Sequence, residues 1–351
     1  MTESLHIAGR TIGPGHPVWV VAELSGNHGG ELDRAKRLVR EASAAGADAV
    51  KVQTYKPDSL TIDSDAPPFR VRMAGAWEGR LLYDLYREAS MPWQWQKPLK
   101  EVADELGVSF FSSPFDSAAV DFLEALGVPA YKIASYELVD TQLIERAAAT
   151  GKPVILSTGM ATREEIADAI AAARAATQDV QLALLKCTSA YPAPPEHLHL
   201  LTIRDMAAEF GLPIGVSDHT VGTVAPVTAV ALGACIVEKH LCLSRAYGGP
   251  DAHFSLEPSE FEAMVRNIRE AEASLGRVHY GPEGEEDSWA YRRSLFVVDH
   301  VPEGARFTEA NVRSIRPADG LPPKDLRRVL GRRAARDIAR GTPLSWELIR
   351  R

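Results

Sequence analysis

"PIGVSDH" (213–219) and "CIVEKHL" (235–241) each carry a short apolar run into a histidine, with one helix-like stretch between them. A β-rich run, a helical segment and a second β-rich run make the pattern of two parallel strands joined by a crossover helix. If those strands are neighbours, His219 and His240 end side by side. Whether they can be neighbours in a closed sheet depends on how often the unit recurs.

Outward from this pair, the unit recurs along most of the chain. Strands are expected at "VWVVAEL" (18–24), "AVKVQTY" (49–55), "SFFSSPF" (109–115), "AYKIAS" (130–135), "PVILSTG" (153–159) and "LALLKCTS" (182–189), ahead of the two already quoted. Helical periodicity follows each, and Gly or Pro punctuates the return to the next strand, as in "AAATGKP", "EALGVP" and "AEFGLP". Eight such units predict an α/β fold of the (β/α)₈ barrel type, whose reactive groups sit at the C-terminal ends of the strands. A doubly wound open sheet is the structural rival, but "AELSGNHGG" does not match the glycine-rich turn G-x-G-x-x-G. The barrel domain is expected over 1–280, a polar linker over 281–290 and a small, mainly β domain over 291–351. In that tail, "GARFTEANV" (304–312) and "GTPLSWELI" (341–349) form a weak repeat. The stretch 56–91 is too long for an ordinary connection and reads as a lid or substrate-side insertion.

Composition narrows the function classes. With 45% hydrophobic and 25% charged residues in 351, the chain can build a large core. Its net charge of −8 argues against a sequence-independent grip on nucleic acid, which needs clustered cations. There is no apolar leader in "MTESLHIAGRTIGPGHP" and no run long enough to span a membrane, so a cytoplasmic protein is expected. Cys187, Cys235 and Cys242 lie in or beside apolar runs without CxxC spacing, which reads as reduced, buried thiols.

Chemistry-bearing side chains collect where a barrel would place them: Glu23, Lys51, Gln53, Ser113, Lys132, Ser135, Glu137, Ser157, Ser189, Tyr191, Ser217, His219 and His240. Strand alternation puts Lys51, Gln53 and Tyr55 on one face. A buried lysine needs an anionic partner. For Lys51 and Lys132 that partner is either Glu23 or Glu137 in a structural ion pair, or the carboxylate or phosphate of a ligand. Ser157 opens "STGMATREE", a loop entering a helix whose free N–H groups favour phosphate. His219 and His240 can share a labile divalent ion such as Mn²⁺, or be ordinary hydrogen-bonded histidines. Glu23 is a candidate acid or base, or the neutraliser of a lysine. Asp251 follows a Gly-Gly-Pro turn that can project it inward.

In this order, "AELSGNHGG", "KVQTYKPDSL", "SSPFDSAAVDFLEALGVPAYKIASYE", "STGMAT", "KCTSAYPAP", "SDHTVG", "EKHL", "GGPDAHFSLEP", "RRSLFV" and "IRPADGL" resemble the sialic acid synthase family, which condenses phosphoenolpyruvate with an amino-sugar. The resemblance covers nearly the whole chain. It implies a (β/α)₈ barrel followed by an antifreeze-like (SAF, β-clip) domain in a domain-swapped homodimer. It implies that phosphoenolpyruvate meets Lys51, Ser113, Lys132, Ser135, Ser157, Ser189 and Ser217. It makes Glu23 the catalytic carboxylate, and His219 and His240 both catalytic and ligands of a divalent metal, Mn²⁺ with Mg²⁺ or Co²⁺ as alternatives. Gln53, Glu137, Tyr191 and Asp251 match sugar-side residues, and Arg316 matches an arginine contributed by the partner's tail. Within the family, "WEGRLLYDLYREASMPWQWQKP" and "KCTSAYPAPPE" look most like the pseudaminic acid branch, which takes a 2,4-diacetamido-2,4,6-trideoxy-altrose. Ser189-Ala190 departs from the Asn-Glu that sialate synthases often carry there. Legionaminic and N-acetylneuraminic acid synthases are the enzymatic alternatives. A carbohydrate-binding protein without chemistry and a metal-dependent sugar hydrolase are the alternatives of other classes.

Overall fold

The structure, a computed structural model, describes residues 3–72 and 77–350. These fall into two compact units, Met1–Gly276 and Arg277–Arg351, so the expected linker belongs to the second.

The first unit opens with a hairpin, β1 (Leu5–Ile7) and β2 (Arg10–Ile12), joined through Ala8 and Gly9 at φ of +48° and +78°. Two consecutive left-handed residues give the tight turn that matches strand twist. Eight parallel strands follow: β3 (Trp19–Glu23), β4 (Ala49–Thr54), β5 (Ser109–Pro114), β6 (Tyr131–Ile133), β7 (Val154–Ser157), β8 (Leu182–Cys187), β9 (Ile214–Asp218) and β10 (Ile236–His240). Each expected strand is present, and the sheet closes as β10 pairs with β3. Closure rules out the open-sheet rival. The helix between strands begins at recognisable signals: Asp116 and Asp140 accept from backbone N–H groups three residues on, and Thr162 with Glu165 forms a capping box.

Alternation along each strand sorts its residues between two environments. Outward residues such as Val20, Val50, Ile133, Leu156, Leu184 and Val237 pack against the helices in one large cluster. Inward residues Trp19, Val21, Ala49, Phe111, Ala130, Ile155, Leu185 and Ile236 form a second cluster that includes Leu5, Ile7 and Ile12 of the hairpin. The hairpin therefore seals the N-terminal end of the barrel interior. Gly215 has no room for a side chain, because a Cβ there would stand 2.5 Å from the Ile236 carbonyl oxygen and 2.6 Å from Leu185 Cδ2.

In the second unit, β11 (Ser294–Val297) pairs antiparallel with β12 (Val312–Ile315). The weak sequence repeat marks its core: Phe307 and Val312 from one copy and Leu344 and Ile349 from the other are buried in the same cluster.

Candidate active site

The site is assembled by the last inward residue or two of each barrel strand. Register places His240 beside Glu23 across β10 and β3, and carries β9 alongside β10 as Ser217↔Glu238 and Asp218↔Lys239. One step further, His219 and His240 face each other with ring centroids 5.3 Å apart. These residues open into a cavity of about 390 Å³ also lined by Lys51, Gln53, Lys132, Ser135, Glu137, Ser157, Tyr191, Ser217 and Asp251. Glu23 and Ser113 lie just beneath: Glu23 pairs with Lys51 at 2.8 Å, and Lys51 Nζ donates to Ser113 Oγ at 3.3 Å. Ser189 lies beside Gly159, where a Cβ would collide with both the Ser189 and Ser135 hydroxyls. Arg316 belongs to the second unit and is exposed there. The stretch 56–91 contributes Leu60, Val71, Leu82, Leu85 and Ala89 as an apolar outer wall, with Arg70, Arg72, Trp77 and Tyr86 beside them. Residues 73–76 of that stretch lie outside the described residues.

Sequence reading missed one central group. Glu238, only 4% exposed, stands 3.3 Å from Lys51 Nζ and 3.5 Å from Lys132 Nζ and accepts from Ser217 Oγ. Lys132 thus pairs with Glu238, not with the expected Glu23 or Glu137. The signal was present, since Glu238 and His240 are two apart on one strand and must share a face. Lys239 between them points the other way, into an ion pair with Asp218.

Burial and charge set the protonation of this cluster. Burial raises the Glu23 carboxyl above its ordinary range, against the pull of Lys51. Glu238 moves the opposite way: burial alone would raise it, but Lys132 and Lys51 together hold it low. Two carboxylates pushed apart in one cavity take different tasks, one able to carry a proton and one a fixed charge. Burial works against the charge on both lysines. Glu23 and Glu238 outweigh it at Lys51, which stays raised, whereas Lys132 ends lowered. Burial, with His219 and the lysines nearby, keeps His240 neutral, well below its usual range. Burial also pushes Glu137 up to about 7.

Several buried polar atoms of this region find no protein partner among the described residues. Ser157 Oγ, Ser189 Oγ and His240 Nδ1 are buried without a hydrogen-bond partner among the described residues, which native interiors rarely tolerate. The two histidines suit a divalent ion. His219 Nδ1 donates to the Thr188 carbonyl at 3.0 Å, which orients its ring. Burial works against the charge on His219, but Cys187 outweighs it and holds the ring above its usual range, so its Nε2 would bind an ion on losing a proton. The neutral His240 offers a second nitrogen directly. Among the described residues no three His, Cys, Asp or Glu side chains converge on one point.

The NeuB family profile matches residues 38–280 and the SAF domain profile residues 292–350. The chain belongs to the NeuB family. It is 41% identical to the pseudaminic acid synthase of Helicobacter pylori over 95% of this chain and 98% of that protein. It is 34% identical to the N,N'-diacetyllegionaminic acid synthase of Legionella pneumophila, covering 94% of each. Among solved structures, the N-acetylneuraminic acid synthetase of Leptospira borgpetersenii, crystallised with citrate, superposes with a TM-score of 0.73 at 31% identity, covering 82% of this chain and 95% of that one. The NeuB family fold and its SAF domain therefore account for both compact units.

Proposed function

We propose that this protein condenses phosphoenolpyruvate with the open-chain form of 2,4-diacetamido-2,4,6-trideoxy-altrose to give pseudaminic acid and phosphate. The observation that carries the reading is the strand-end cluster, in which Lys51 and Lys132 are buried with Glu23 and the two histidines and the Ser157 and Ser189 hydroxyls find no partner among the described residues. A small trianion suits that arrangement, with the lysines as counter-charges and Ser135, Ser157 and Ser189 as hydrogen-bond donors, while Ser217 spends its hydroxyl hydrogen on Glu238. The likeness to pseudaminic acid synthases at 41% identity, against 34% for the legionaminic acid enzyme, favours the altrose acceptor. So does the apolar wall of Leu82, Leu85 and Phe115, which suits a methyl group where other hexoses carry a hydroxyl.

C3 of phosphoenolpyruvate forms the new bond to the aldehyde carbon, water adds at C2, and phosphate leaves with the C2–O bond. Ion pairing fixes the donor against Lys51 and Lys132, so its C3 is held for attack rather than free to rotate. Glu23, raised by burial, delivers and removes protons as the aldehyde oxygen becomes a hydroxyl and water is added. Glu238 stays ionised and keeps both lysines charged. A divalent ion held by His219 and His240, Mn²⁺ in this proposal, would supply Lewis-acid polarisation of the acceptor carbonyl. Gln53, Glu137, Tyr191 and Asp251 orient the sugar.

A homodimer that brings Arg316 of one copy to the barrel of the other is part of the proposal. The second unit carries 15 Lys or Arg against 11 Asp or Glu, a balance of +4, which leaves the first at −12 of the total −8. Opposite charge of that size favours such an exchange. No helix of the described residues is long and apolar enough to cross a membrane, in keeping with a cytoplasmic enzyme.

The test is phosphate release by protein reloaded with Mn²⁺, given phosphoenolpyruvate and, in parallel, the altrose, N-acetylmannosamine or 2,4-diacetamido-mannose acceptor. Preference for the altrose, abolished by chelation, is expected. Turnover led by another acceptor overturns the substrate, and no turnover with any overturns the synthase.

A further inference from the structure

Ser25 lies two residues beyond the end of β3, lines the cavity, and has φ of +44°. That is the left-handed region, where a glycine would sit without strain and a side chain crowds its own backbone. A residue is kept there only when its surroundings hold it. The hydroxyl is what serine adds over glycine, and it is fully engaged: it donates to Asp251 Oδ2 and accepts from Gln53 Nε2 at 3.3 Å. The Ser25 backbone N–H donates to Glu23 Oε1 at 3.1 Å, and Gln53 Nε2 lies 3.2 Å from the same oxygen. The next N–H, of Gly26, also donates to Asp251 Oδ2, at 3.2 Å.

Three cavity groups from distant parts of the chain are thus tied to one residue. Both donors fall on Oδ2 of Asp251, so its other oxygen, which takes no hydrogen bond from the described residues, has a fixed direction. The loop has little room to shift. A Cβ on Gly26 would stand 3.2 Å from Ala89 Cβ on the helix Leu82–Ala89. On the other side Asn27 Nδ2 donates to Ser255 Oγ at 2.9 Å, and that hydroxyl donates to the Asp251 carbonyl at 2.6 Å.

We infer that Ser25 is a positioning residue for the acceptor sugar: its hydroxyl sets Asp251 and Gln53 as a pair, and its backbone keeps that pair in register with Glu23. A carboxylate and an amide at fixed spacing recognise the hydroxyl and acetamido groups of an amino-sugar. This inference rests on the site assignment proposed above.

Two substitutions separate the hydroxyl from the backbone. Ser25→Gly removes the hydroxyl and relieves the left-handed strain; Ser25→Ala removes the hydroxyl and leaves the strain. For Ser25→Gly the Michaelis constant for acceptor should rise about tenfold and kcat fall severalfold, while that for phosphoenolpyruvate stays within about twofold. Ser25→Gly should melt at or above wild type and Ser25→Ala below it, with the same kinetic split. Adding Asp251→Asn to Ser25→Gly should cause less further loss than in wild type, because the carboxylate is no longer held. Crystal structures of wild type and Ser25→Gly without substrate are the arm independent of turnover. Asp251 or Gln53 leaving its wild-type position supports the inference. Both unmoved, or moved with an unchanged acceptor constant, overturns it. If wild-type protein turns over no acceptor, the functional reading fails, and the two structures still decide whether Ser25 positions the pair.

Discussion

At the N-terminal end of the barrel, Val21, Ala49, Phe111, Ala130, Ile155 and Ile236 fill the interior, and Leu5, Ile7 and Ile12 of the hairpin close it. Two residues further along the same six strands stand Glu23, Lys51, Ser113, Lys132, Ser157 and Glu238, all buried. One end holds apolar surface out of water, the dominant stabilising contribution to folding. The other holds ionised and unpartnered groups that oppose it. A binding site of this kind is tolerated because the closed sheet and the sealed end carry the stability. Substitutions at the two ends should therefore separate activity from stability.

The largest separation is expected for His240→Ala. Phosphate release should fall about a thousandfold, since in the proposed reaction His240 helps hold the ion that would polarise the acceptor carbonyl. Its melting temperature should stay near wild type, because Nδ1 of that ring has no hydrogen-bond partner to leave behind among the described residues. Phe111→Ala at the opposite end should do the reverse. The phenyl ring is fully buried and stacks at 5.2 Å on Trp19, so stability should drop by about 3–5 kcal/mol in denaturant titration while turnover per folded molecule is preserved.

Glu137 sharpens the comparison through pH. Burial lifts its carboxyl from 4.5 to about 7. Between those values the folded protein keeps a proton that the unfolded chain has released, so this group's contribution to stability falls as pH rises through the window. Its size is up to about 3 kcal/mol. In unfolding curves between pH 4.5 and 7, the stability of Glu137→Gln should decline less than that of wild type, the remainder coming from the other raised carboxyls such as Glu23. A decline that persists unchanged in the variant would place the titration elsewhere. The smallest effect is expected away from both ends. Arg163 pairs with Asp205 and Glu209 at 3.2 Å on the helical surface, all three exposed, and Arg163→Ala should change stability by less than about 0.5 kcal/mol and leave turnover untouched.

The strands were legible because a parallel sheet covered on both sides writes continuous apolar runs, and Gly or Pro ends each intervening helix. Polar strand ends were legible from alternation, which put Lys51 and Gln53, or Ser217 and His219, on one face. Glu238 was not recognised although it obeys the same rule with His240. Its importance arises only when closure brings β10 across from β4 and β6, and no local pattern carries that proximity. Ser25 was invisible for a different reason: a left-handed φ at serine is imposed by Asp251 and Gln53, which lie far along the chain. The sealing hairpin was within reach, since "LHIAGRTI" alternates around a two-residue Ala-Gly turn, but strands of three residues give little pattern to weigh. The insertion was readable as a long loop, whereas which of its residues would face the cavity depended on the fold.

The most direct measurement is phosphate release from phosphoenolpyruvate and the altrose acceptor by Lys132→Met and Phe111→Ala, each normalised to the folded fraction below both melting temperatures. Lys132 leaves the polar end with one cation fewer for the anionic donor, so its variant should lose at least about a hundredfold in kcat/KM. Phe111→Ala should remain within about twofold of wild type. Equal losses in the two variants, or a larger loss in Phe111→Ala, would contradict the division of labour between the ends of the barrel.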